Sequence, residues 1–115
     1  MRRSLTKDER LRRRDDIRRL FSGKAVYRTQ GLHLRLEANT LEWSRVLVTT
    51  PRMFRGAVQR NRARRHIREA YRLVKHRIKG HYDLAFVVYP GDYRFSDRSR
   101  QVETLLHQAD AVQPE

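Results

Sequence analysis

The sequence predicts a single α+β domain, an α-β sandwich whose elements run in the order αβββαβα about a four-stranded mixed sheet. Three observations carry this. A chain of 115 residues has apolar material for one modest core and not for two, so residues 1–115 form one unit. Apolar residues recur with a helical period in three stretches and alternate with polar residues between them. Between residues 45 and 89 a β-branched run, a long helical pattern and a second apolar run follow one another, the order of a strand-helix-strand unit whose strands pair in parallel.

Taken in order, residues 1–6 read as a flexible basic arm. Thr6 and Glu9 have the spacing of a capping box, but Leu11 shares no helical face with later apolar residues, so an extended approach is expected here. The first helix runs from about Arg13 to Ser22. Ile17, Leu20 and Phe21 form its apolar face, arginines at 12, 13, 14, 18 and 19 surround it, and Gly23 is placed to end it as C′. Ala25 to Arg28 suggests a short strand. Leu32, Leu34 and Leu36 then alternate with His33, Arg35 and Glu37 as a strand with one buried face, and Asn39-Thr40 turns the chain. Arg45 to Thr50 is nearly continuous in apolarity, as expected of a strand covered on both sides, and Pro51 ends it. A basic loop over 52–56 leads to a helix of about Ala57 to Lys79, stopped by Gly80. The strand Tyr82 to Tyr89 precedes a Pro90-Gly91 turn. Ser96 with Asp97 makes an N-cap pair for the last helix, whose apolar face is Val102, Leu105, Leu106 and Ala109.

The formal net charge of +14 and a sequence pI near 11.4 point to a polyanionic partner. The charge is uneven: residues 52–79 carry eleven Lys and Arg against Glu69 alone, whereas 80–115 are net acidic. No apolar run approaches the roughly 20 residues of a spanning helix, and the N-terminus lacks the apolar stretch of a secretory signal. No membrane is expected as partner, and the cytoplasm is the expected location. The absence of cysteine excludes disulfides and thiolate zinc sites, and the five histidines lack ligand spacing, so no metal site is expected.

The helix over 57–79 separates into two faces. Ala63, Ile67, Ala70 and Val74 make one apolar stripe, with Tyr71 at its edge expected in the core. Arg60, Arg64, Arg68 and Arg72 follow at i, i+4 on the opposite arc, with Asn61, Arg65 and Lys75 alongside. Like charges at that spacing disfavour an isolated helix by a few tenths of a kcal/mol per pair. A polyanion turns that repulsion into attraction, and the arginine fork fits phosphate oxygens and base edges. A DNA-reading helix-turn-helix needs a short helix and turn ahead of this one; the preceding residues read as strand and loop, so RNA is preferred to DNA.

Arg60-Asn61-Arg62, followed by Arg64-Arg65 and Arg68-Glu69-Ala70-Tyr71, is similar to the signature of the bacterial ribonuclease P protein component, R-N-R-x-[KR]-R-x-x-R-E-x-[FY]. Ala57-Val58 fits the family's lead-in, and weaker similarity runs from Leu11 through Leu32 and Val46 to the strand Leu84 to Tyr89. The resemblance implies a left-handed β-α-β crossover through the arginine-rich helix, against the general right-handed preference. It also implies the protein subunit of a ribonucleoprotein that removes the 5′ leader of precursor tRNA. Catalytic RNA and precursor tRNA are then the partners. The RNA supplies the catalytic site with its magnesium, and the polypeptide binds no cofactor of its own.

Residue by residue, Arg60, Asn61, Arg62, Arg64, Arg65 and Arg68 match the family's RNA-contacting signature; Arg72 and Lys75 extend the face by helical geometry only. Arg62 lies well round the helix from Arg64, so a contact with the preceding loop is its alternative role, and a local turn cap is the alternative for Asn61. Pro51, Met53 and Arg55 replace the family's usual Ser, Lys and Gly, while Arg52 and Arg55 keep the loop's charge. For the leader, Phe21 matches one of the family's cleft aromatics. Ile17 stands where an aromatic is common, and the strand Leu32 to Leu36 has none, so reduced stacking is expected. Arg28, His33 and Arg35 are the candidates to meet the leader backbone.

Grouped carboxylates or a histidine pair for nuclease chemistry are not evident, and no phosphate-cradling G-x-x-x-x-G-K-[ST] loop occurs. Asp15-Asp16, flanked by arginines, reads as local charge balance. The polypeptide alone is therefore expected to be non-catalytic. The alternative function is a ribosomal or RNA-assembly protein that binds structured RNA.

Overall fold

The computed structural model describes residues 5–112 and contains α1 (Arg14–Ser22), β1 (Val26–Thr29), β2 (Leu32–Ala38), β3 (Arg45–Thr49), α2 (Ala57–Val74), β4 (Tyr82–Val88) and α3 (Phe95–Gln108). Single 3-10 turns lie at Lys7–Glu9 and Lys75–Arg77. The four strands form one mixed sheet in the order β1-β2-β4-β3. β1 and β4 flank β2 antiparallel, and β3 pairs with β4 in parallel through the α2 crossover, as the strand-helix-strand order predicts.

Alternation along the strands sorts the residues between two sheet faces. Leu34 lies opposite Phe86, and Val48 pairs with Phe86 from the other side. On this face Leu32, Leu34, Val46, Val48, Leu84, Phe86 and Val88 bury themselves against Ala63, Ile67, Ala70 and Val74 of α2 and Val102, Leu105 and Leu106 of α3. Tyr71 belongs to that core, its ring edge-on to Phe86 at 6.0 Å. Each fully buried Val, Leu, Ile or Phe side chain contributes about 1.5–3 kcal/mol of transfer free energy. The second face is covered only in part. The nine-residue α1 sets Leu20, with Ile17 and Phe21, against Ala85, Leu47 and Leu11, while His33 and Val87 stay half-exposed and Arg28 exposed.

The chain approaches the sheet in extended form, as expected near Leu11: Arg10 bridges Val46 in parallel, and the Leu11 N–H donates to the Val46 carbonyl at 2.9 Å. The Thr6/Glu9 box also forms, closing one 3-10 turn with Thr6 N–H donating to Glu9 Oε1 at 3.0 Å. Of the arm expected over 1–6, residues 1–4 lie outside the described residues and Leu5 packs against the core.

Three local expectations need correction. Gly23 ends α1 in an extended conformation, φ −72°, not as a left-handed C′ residue. The long helix stops at Val74 instead of Lys79: the chain tightens into the 3-10 turn and turns at Gly80, φ +91°, because Ile78 pairs with Val112 and Lys79 N–H donates to Ala111. α3 starts one residue before Ser96. Asp97 is its third residue, accepting from the otherwise free N–H of Arg94 at 2.9 Å.

Candidate nucleic-acid interface

Helix α2 is polarised along its length by the company its cations keep. Among the described residues, Arg60, Arg62, Arg64, Arg65 and Arg68 meet no carboxylate; Arg64 Nη2 donates to Asn61 Oδ1 at 2.5 Å, which gives Asn61 a partner on the helix face in place of a turn cap. Beyond residue 69 the pattern reverses. Arg72 Nε donates to Glu69 Oε1 at 2.8 Å, Lys75 Nζ to both Glu9 oxygens at 3.0 Å, Arg77 Nη1 to Glu103 at 2.7 Å and Lys79 Nζ to Asp110 at 3.0 Å. Arg72 and Lys75, placed on the cationic arc by spacing, thus have their charges matched within the protein. The Lys75 side chain is 15% exposed and fastens the Lys7–Glu9 turn to the end of α2.

Arg68 closes the unpaired stretch in a different setting. It shares a groove of about 300 Å³ with Arg10, Arg12, Leu11 and the edge residues Val46 to Val48. Partial burial first, then the neighbouring Arg64 and Arg10, hold its guanidinium below the usual arginine range, the electrostatic condition in which an anion is most welcome. Through Arg10 and Arg12 the cationic arc continues round the β3 edge towards the arginines of α1. Sequence spacing alone does not show this, because the join depends on the sheet bridge at Arg10. In the loop before α2, Phe54 packs on the core, leaving Arg52 and Arg55 exposed. Arg62 stands beside that loop, lining a cavity with Met53, Phe54 and Arg55.

On the open sheet face the structure brings Phe21, Ile17, Arg28, His33 and Arg35 together. Arg28 and His33 are register partners on β1 and β2. Arg35 is tied down: its Nη1 donates to the carbonyls of Phe21 at 2.9 Å and Gly23 at 3.2 Å, and its guanidinium lies 5.2 Å from the Phe21 ring centroid. It covers the last carbonyls of α1, which have no partner within the helix. Ile17 faces the small second core with Leu20. Asp16 accepts from Arg19 at 3.0 Å and Arg45 at 3.3 Å, the charge balance expected of it, and Arg45 also forks onto buried Asp83.

An aromatic missed from the sequence completes this face. Tyr89, just beyond β4, sets its ring 4.6 Å from that of His33. Its parity was visible, since it falls in phase with Ala85 and Val87 and out of phase with buried Leu84, Phe86 and Val88. Desolvation, with Arg28 and Arg35 nearby, pushes the His33 imidazole below its ordinary value of 6.5, so the neutral ring is favoured.

Fold and charge together define a one-domain α-β sandwich with two cationic surfaces, one on a crossover helix and one on a half-open sheet. Residues 5–110 match the family model described as Ribonuclease P. The chain is 40% identical over 92 residues to the ribonuclease P protein component of Borrelia hermsii, covering 79% of each, and 30% identical over 103 residues to that of Clostridioides difficile, covering 87% of this chain and 90% of the relative. The solved RNase P protein from Staphylococcus aureus shares the fold with a TM-score of 0.82 at 18% identity, covering 91% of this chain and 98% of that one. The protein from Thermotoga maritima does so at 0.77 and 24%, covering 87% and 96%. The chain belongs to the ribonuclease P protein family, the protein components of an endoribonuclease whose holoenzyme contains RNA. No helix among the described residues is long and apolar enough to cross a membrane.

Proposed function

We propose that this chain binds the catalytic RNA of ribonuclease P through α2 and the 5′ leader of precursor tRNA through the open sheet face, in the cytoplasm. The observation that carries the reading is the run of five arginines from Arg60 to Arg68 without a carboxylate partner among the described residues, on a chain that pairs the next four cations, Arg72, Lys75, Arg77 and Lys79, with carboxylates. Such a run repels itself until phosphates arrive, and their arrival releases condensed counterions, which drives association. Phe21, His33 and Tyr89 offer ring faces for unpaired leader bases, with Arg28 beside them for the backbone.

The polypeptide's part is electrostatic and positional. It neutralises phosphates and holds the leader, so that substrate and magnesium bind to the RNA more readily; the magnesium is held by the RNA. The test is cleavage of precursor tRNA by the catalytic RNA with and without this protein across a magnesium titration. The protein should lower the magnesium required and favour precursor over mature tRNA, and RNA-free protein should cleave nothing. Binding to the RNA that changes neither magnesium requirement nor precursor preference would instead mark a non-catalytic assembly protein.

A further inference from the structure

A cavity of about 540 Å³ opens where the 51–56 loop, the first turns of α2 and the loop after β4 meet. That volume lies in the range, roughly 300–1,000 Å³, of pockets that take small organic ligands. Its walls are chemically divided. Arg55, Arg62 and Arg98 bring three guanidiniums and Gln59 an amide, against Asp92 as the one carboxylate; Met53, Phe54 and Tyr93 form the apolar part. Met53 is 61% exposed although it is a large apolar side chain. The wall supplied by α2 begins in the helix's first turn, at Gln59, and that turn carries no acid.

Arg98 is the informative member. It is 2% exposed, yet among the described residues no carboxylate pairs with it. Its Nη1 donates to the Gly31 carbonyl at 2.9 Å and Gln101 Oε1 at 3.1 Å, and its Nη2 to the Tyr89 carbonyl at 2.8 Å. Three of five N–H donors are thereby used, all on neutral acceptors, with the Tyr93 ring at 4.4 Å and the Asp97 charge, which makes no ion pair here, favouring the guanidinium. Asp97, its neighbour in sequence, is occupied by the Arg94 N–H. Burial outweighs both ring and carboxylate and holds the Arg98 guanidinium below the usual arginine range, so a ligand that brings a negative charge here removes a penalty the free protein carries.

The arrangement is also stiff, since the Tyr93 ring lies directly on glycine backbone. A Cβ at Gly91 would stand 2.2 Å from it, and one at Gly31, φ +84°, would stand 2.7 Å away. Burial first, then Arg62, Arg65 and Arg98, push the His66 imidazole below 6.5, so the cavity's histidine also registers an excess of positive charge.

The geometry points to a receptor for one nucleoside phosphate unit: the phosphate held by Arg55, Arg62 and the field of buried Arg98, the base laid against Met53 and Phe54. This deepens the RNA-binding reading above and rests on it. The unit can come from the catalytic RNA, from precursor tRNA or from a free nucleotide, and one reporter distinguishes them.

The chain has two methionines, so methyl-labelled methionine gives a Met53 signal at the cavity with Met1 as internal reference. Titration of the full chain with 5′-UMP should move the Met53 methyl saturably, with uridine or inorganic phosphate alone acting more weakly. Arg62→Gln should weaken the UMP response about tenfold, the effect of removing one charge-assisted hydrogen bond. Lys79→Gln, which removes a charge elsewhere, should not. If bound catalytic RNA abolishes the UMP response, its nucleotide fills the cavity; if only added precursor does so, the precursor's does; if neither does, the ligand is a free nucleotide. A Met53 signal that UMP fails to move, or that uridine moves equally well, overturns the proposal. Should catalytic RNA still bind in that case, the RNA-binding reading stands and only the cavity's role falls; failure of RNA to bind, with UMP still seated, would sink the broader reading instead.

Discussion

Phe21 shows what a single residue can and cannot reveal before the fold is known. Its family-like position and its place on the open sheet face agree, and the arginine that covers it, Arg35, also fastens the end of its helix. If a leader base stacks on this ring, Phe21→Ala should weaken binding of precursor tRNA by about 1–3 kcal/mol and leave that of mature tRNA unchanged. Equal weakening for both RNAs, or a drop in melting temperature large enough to account for the defect, would return Phe21 to the core that Ile17 and Leu20 build. Arg35 was legible as a cation on the correct face. Its duty was not, because its acceptors are carbonyls twelve and fourteen residues away in sequence and carry no side-chain signal. Arg98 was equally hidden: a buried arginine held by carbonyls from a hairpin and a strand end leaves nothing in the sequence to distinguish it from a solvated one.

At the scale of the element, α2 was legible because both of its faces obey one period. Ala63, Ile67, Ala70 and Val74 all reached the core, and the arc opposite them stayed cationic. The helix end was misplaced because helical periodicity continues into a 3-10 turn, and it is tertiary pairing of residues 78–79 with the C-terminal segment that takes the chain out. Arg64 and Arg68 project from the unpaired arc, with Arg68 further crowded by Arg10. Replacing both by glutamine should leave melting temperature the same or slightly higher, since i, i+4 repulsion of a few tenths of a kcal/mol is relieved. RNA affinity should fall, and the slope of log affinity against log salt should become shallower by about 0.7–0.9 for each phosphate no longer neutralised. Measured by filter binding across a salt series, an unchanged slope and affinity would show that this arc is merely solvated. Arg72 and Lys75 should contribute less than their spacing suggests, because Glu69 and Glu9 already hold them.

For the molecule as a whole, the order of elements and the sharing of one core by α2 and α3 follow from period and length. The joins between surfaces do not. Arg10 reaches Arg68 by bridging the β3 edge, and the cavity at Arg98 assembles from two segments distant in sequence, 53–66 and 90–98. Charge acts at this scale too. A net +14 is confined within a Cα radius of gyration of 13.3 Å, while the Debye length at 0.1 M salt is about 10 Å, so like charges across the molecule act on one another in dilute buffer. The self-repulsion opposes the compact state, and ion pairs at the end of α2 and around Arg45, Asp16 and Asp83 offset part of it. Salt should therefore act in opposite directions on the two equilibria the protein takes part in. Raising sodium chloride from about 0.05 to 0.5 M should raise the melting temperature of the free protein by screening repulsion, while the same change weakens RNA binding by undoing counterion release. Scanning calorimetry and RNA titration over one salt series test both signs. A melting temperature that falls with salt would mean that pairs such as Lys75–Glu9 outweigh the repulsion between unpaired arginines, and that the cationic surfaces are not the strained, RNA-seeking feature that the unpaired run from Arg60 to Arg68 makes them.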